Sequence, residues 1–152
     1  MYNYLNNNTM NTTISNNQQI AIRIAILWLT IIVGFAMHIL ADMLPALWGA
    51  NIAMPDAQGA APTGMLLFMV GIAFFVPICG LLCINHRNIK AMRGINLVLA
   101  TIMMLFNIMH TAELFEEFNP VQLLILPVMT ALGIYLFVYS LRLAKQKSQE
   151  KQ

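Results

Sequence analysis

Charge is scarce in this chain. Eight Lys and Arg and six Asp and Glu make up 9% of its 152 residues and leave a net charge of +2. An ordinary soluble domain carries about 25% charged residues. The shortfall excludes a standard soluble enzyme and a solvated disordered protein. The small positive excess excludes a surface built to hold a nucleic acid. Cysteine is nearly absent as well, and two of them cannot staple a disulfide-dense secreted scaffold. No Gly-rich phosphate loop, nucleophile elbow, kinase signature or compact HExxH or HxxxH motif occurs, and no serine is placed beside His and Asp for a hydrolytic triad.

Apolar residues fill the space: they form 59% of the chain, and the mean hydropathy is +0.71. They are gathered in four uncharged runs, residues 24–41, 63–84, 94–112 and 120–141. Each is close to the ~20 residues that cross a bilayer as a helix. Backbone groups in hydrocarbon must pair within their own segment, so these runs are expected to be helices rather than strands. The predicted fold is all-α, an integral membrane four-helix bundle over residues 20–144, with helices near 20–44, 63–84, 92–114 and 120–142. Residues 1–19 hold seven Asn, four Ser or Thr, two Gln and no charge, a polar low-complexity tail. Residues 145–152 form a short basic tail. Pro77 and Pro127 fall inside predicted helices and are expected to bend them.

The few charges are sorted. With four spans, Arg23, Arg87, Lys90, Arg93, Arg142, Lys145, Lys147 and Lys151 all fall on one side. Asp42, Asp56, Glu113, Glu116 and Glu117 fall toward the other. The positive-inside rule then puts both termini and the middle loop in the cytoplasm. Trp28, Tyr135 and Tyr139 are expected toward the inner interface, with Trp48 and Phe118 near the outer one, or else packed between helices.

Ionisable groups within a membrane helix are costly and mark candidate sites. Helix one carries His38 and Asp42, spaced i, i+4; helix three carries Asn107, His110 and Glu113, spaced i, i+3, i+6. Each set keeps to one broad helix face. At a rise of about 1.5 Å per residue, His38 lies ~22 Å beyond Arg23, and Asn107 ~21 Å and His110 ~26 Å beyond Arg93. The two sets therefore match in height, and helices one and three facing each other would join them. Four readings follow: a hydrogen-bonded seam; a divalent-metal site of His38, Asp42, His110 and Glu113; a proton relay or polar substrate site; or a haem held by His38 and His110. Cys79 and Cys83, at i, i+4, do not converge for a disulfide and lack the CxxC redox spacing. Methionines near the polar layer, Met37, Met43, Met103, Met104 and Met109, suit adaptable packing better than Cu(I) ligation.

IAIRIAILW at 20–28, HILADMLPAL at 38–47 and NIKAMRGINLVLATIMMLF at 88–106 carry a resemblance. The chain resembles, over residues 20–145, a family of small four-helix bacterial membrane proteins of unknown function. It differs in having His38 where an aromatic residue is expected. The resemblance implies a multi-pass protein of the bacterial inner membrane and no catalytic residue. The function expected from the residues is non-enzymatic: a binding protein or accessory subunit using His38, Asp42, Asn107, His110 and Glu113. The alternatives are a haem or metal oxidoreductase component and a small proton-coupled transporter. The expected surroundings are the lipid bilayer and a homo-oligomer or larger membrane complex, with no nucleic acid.

Overall fold

The computed structural model describes residues 16–53, 59–115 and 120–146. Regular structure among them is helical, without a strand. Helix α1 spans Asn16–Met43 and runs on into a 3-10 turn, Leu44–Trp48. Helix α2 spans Thr63–Asn85, α3 Lys90–Ala112 and α4 Gln122–Lys145. All four are long and apolar enough to cross a membrane. The chain leaves α1 through Pro45 in the first turn of the 3-10 segment, and Gly49 ends that segment at φ 80°, a left-handed conformation that suits glycine.

Proline leaves its mark on α2 as a change of winding. Pro77 has no N–H, and its ring presses on the carbonyl four residues earlier. Directly before it, Gly71–Phe75 is wound as a π-turn, in which the Val76 N–H reaches back five residues to the Gly71 carbonyl. The wider turn gives the ring room. Pro127 sits inside α4, which continues as one α-helix through it.

In the bundle, α1 packs on α2 and α4, and α3 packs on the same two. Helices α1 and α3 therefore lie across a diagonal. The core is built from Ile24, Trp28 and Ile31 of α1, Ala100 and Met103 of α3, and Met129 and Leu136 of α4. Glycines set two close approaches. A Cβ on Gly80 would stand 2.2 Å from Cε2 of Trp28, so the indole lies against the bare backbone of α2. A Cβ on Gly133 would stand 3.2 Å from the Cα of Met104, so α3 and α4 nearly touch there.

Trp28 packs between the helices, where it is fully buried. Its Nε1 donates to Asn96 Oδ1 at 3.0 Å, and Asn96 Nδ2 donates to Ser140 Oγ at 2.8 Å. The slot over Gly80 admits the ring, and Asn96 satisfies the one polar atom that would otherwise hold it at the water boundary. Trp48 and Tyr135 do point away from the bundle, and Phe118 lies outside the described residues.

Elsewhere the exterior is apolar. Ile26, Leu29, Val33, Leu67, Val98 and Leu124 are each more than half exposed. A soluble monomer rarely carries so continuous an apolar surface. Arg23, Arg93 and Arg142 gather at one end: Arg23 donates to Tyr139 Oη at 2.9 Å, Arg23 and Arg142 both lie over the Tyr139 ring, and Arg93 donates to the Gln146 carbonyl at 2.9 Å.

Candidate functional site

At the opposite end from these arginines, His38 of α1 and His110 of α3 meet across the diagonal. Their Nε2 atoms are 3.0 Å apart, and the rings stand edge to face with centroids 4.7 Å apart. The meeting is permitted because the first part of α2, Thr63–Val70, contributes no buried residue at this level. Phe68 leans instead on Phe106 of α3, ring centroids 6.2 Å apart, and Phe106 stacks on His110 at 5.6 Å.

Gln122, the first residue of α4, organises the group. Its Nε2 donates to Asp42 Oδ1 and, at 3.3 Å, to the carbonyl of His38. Both of those partners are acceptors, which turns the amide oxygen toward the ring: Gln122 Oε1 lies 2.7 Å from His38 Nδ1. Since an amide oxygen only accepts, His38 Nδ1 carries the hydrogen. In the neutral ring Nε2 then accepts, and His110 Nε2–H is its donor. The same Nε2 of His38 lies 3.6 Å from Asp42 Oδ2. His38 is 15% exposed and Asp42 49%, so the carboxylate stands at the rim and the imidazole behind it.

Asn107 is buried one turn away and faces α4 rather than His38. Its Nδ2 donates to the Met129 carbonyl at 3.0 Å, while its Oδ1 has no hydrogen-bond partner among the described residues. Close approach at Gly133 explains the direction, since the amide reaches the α4 backbone directly. The Thr111 and Thr130 hydroxyls, 2.7 Å apart, lie between the carbonyls of Leu126 and Asn107, at 3.0 and 2.9 Å. Two hydroxyl hydrogens serve these three contacts, so the pair has two alternative hydrogen-bond directions. Glu113 begins a 3-10 turn, Glu113–Phe115, after α3, and its side chain lies outside the described residues.

Sequence reasoning named His38, Asp42 and His110, which meet, and Asn107, which makes a different contact. It missed Gln122, Thr111 and Thr130. Gln122 was detectable as a strongly polar residue near the Asp42 end of an apolar run. The threonines carried no such signal, because helices tolerate threonine hydroxyls bonded to a carbonyl in their own preceding turn, as at Thr30 and Thr101.

The geometry bears on what the cluster could hold. An iron ligated through both Nε2 atoms would have to sit between them, and here they touch each other at hydrogen-bond distance. Among the described residues no group of three or more His, Cys, Asp or Glu is placed to hold a metal ion. No protein-family model, curated protein or solved structure matches the chain.

Proposed function

We propose that this is a non-enzymatic, multi-pass membrane protein of the binding or accessory type, and that its His38–His110 pair, joined through one shared hydrogen beside Asp42, is the binding site. The orientation adopted here follows the positive-inside rule, with both termini cytoplasmic and the histidine pair toward the outer face of a bacterial inner membrane. The observation that carries the reading is the 3.0 Å contact between two imidazole nitrogens, one of them 3.6 Å from a carboxylate oxygen. Two neutral rings share one hydrogen along that line. Gln122 accepts from His38 Nδ1–H and so fixes which ring nitrogen faces His110.

Binding is favoured over transport by what lies below the pair. The next buried polar layer is Asn96 with Trp28 and Ser140, about 16 Å from Asn107 along α3 at 1.5 Å per residue. Between the two layers are Ile31, Ala100, Met103 and Leu136, all at 0% exposure. A close-packed apolar layer offers no hydrogen-bonded route for a proton.

Histidine ring NMR of the detergent-solubilised protein tests this, with His86 at the opposite end as the internal reference. His38→Ala and His110→Ala assign the signals. The expected result is a coupling through the shared hydrogen between the His38 and His110 Nε2 nitrogens, which lie 3.0 Å apart. In each variant, the ring signals of the remaining histidine shift while those of His86 stay in place. Rings without such a coupling, or a variant that leaves the other ring's signals unmoved, would overturn the proposal.

A further inference from the structure

The basic end has a second feature, on the outside of the bundle. A groove of about 420 Å³ runs between α1 and α2, within the ~300–1,000 Å³ typical of ligand pockets. Its composition changes along its length. At the mouth stand Gln18, Asn85 and Arg87; deeper into the apolar span the walls become Ala21 and Ala25 of α1 and Leu81 of α2. The two alanines make the groove, since they leave the flank of α1 without bulk where α2 passes.

Charge decides what fits. Arg23, Arg93 and Arg142 are engaged with Tyr139 or with the Gln146 carbonyl. The Arg87 side chain has no hydrogen-bond or ion-pair partner among the described residues. Asp42 is the one carboxylate whose side chain is described, and it belongs to the opposite end. A guanidinium at the mouth of an apolar groove, where a membrane helix meets its loop, complements a molecule with an anionic head and a hydrocarbon chain. We infer that the α1–α2 groove binds an anionic phospholipid of the surrounding leaflet. Its phosphate is held by Arg87 beside Asn85, and an acyl chain lies along Ile22, Ala25 and Leu81. Arginine suits this role because its planar fork can bind two phosphate oxygens at once.

Native mass spectrometry of the delipidated full chain, with phosphatidylglycerol or phosphatidylcholine added back, tests the assignment. Wild type is expected to retain phosphatidylglycerol about fivefold better, the factor that corresponds to ~1 kcal/mol for one basic residue near the headgroups. Arg87→Gln removes the preference. Lys90→Gln, which changes an exposed cation outside the groove, leaves it intact. Ala25→Leu fills the chain slot and lowers retention of both lipids. Equal retention of the two lipids by wild type overturns the inference, and so does equal loss in Arg87→Gln and Lys90→Gln, which marks diffuse surface attraction. Inorganic phosphate retained without lipid, in an Arg87-dependent way, also overturns it, since the site would then take the ion alone.

Discussion

Single polar side chains hold this bundle in register, and each does so by satisfying a group that hydrocarbon would leave stranded. Asn96 shows it best. Fully buried, it accepts from Trp28 and donates to Ser140, so one amide ties α1, α3 and α4 together. Interhelical hydrogen bonds in membrane proteins are worth about 0.6 kcal/mol on average and up to ~1.7. Asn96→Ala removes two and leaves the indole N–H without its acceptor. Reversible unfolding in mixed micelles should register a loss of about 1–3 kcal/mol. A change below a few tenths would mean that Trp28 and Ser140 find other partners. Arg93, 7% exposed, acts similarly at the end of α4, where its guanidinium donates to the Gln146 carbonyl just beyond the last turn. A cation there also meets the negative end of the helix dipole.

Helices find their neighbours through shape more than through any apolar stripe, because apolar residues surround each of them. The α1–α2 contact depends on a missing side chain. Gly80 leaves α2 flat where the Trp28 indole lies, and any Cβ there falls well inside contact distance of the ring carbons. Trp28 cannot slide aside without breaking its bond to Asn96. Overpacking of a tight core typically costs about 1–3 kcal/mol, so Gly80→Ala should destabilise the bundle by that amount in the same unfolding assay. Gly94→Ala is the control, since nothing lies within 4 Å of a Cβ at that position. Equal effects at the two positions would show that the Trp28 contact does not set the packing. Helix α2 also accounts for the histidine site in a negative sense, because its first two turns contribute nothing buried and leave His38 and His110 to meet.

For the molecule as a whole, the sorting of charge carries a prediction about orientation. In a chain with Cys79 and Cys83 replaced by Ala, Lys145→Cys should react with a membrane-impermeant maleimide only after cells are permeabilised. Trp48→Cys, on the turn after α1 and 81% exposed in the wild type, should react in intact cells. The opposite pattern would reverse the bundle, and with it the side on which the histidine pair lies. The two sites lie at opposite ends of the structure, and their tests use different readouts, so the failure of one leaves the other standing.

Length, hydropathy and charge order already specified four apolar helices, because partition into lipid is close to a sum over residues and the backbone has one way to satisfy itself there. Height was equally accessible: a constant rise per residue brought His38 and His110 to similar levels, and they touch. Direction around each helix axis was not accessible, since it depends on every neighbouring helix at once. Spacing alone could not show that α1 and α3 are diagonal, that Asn107 turns to α4, or that Trp28 is interior. Those outcomes follow from Gly80 and Gly133, whose missing side chains draw particular helices together. Gln122 entered the histidine cluster for the same reason. Its position at the start of α4 is local, but its contacts with His38 and Asp42 exist only because packing brings α4 against α1.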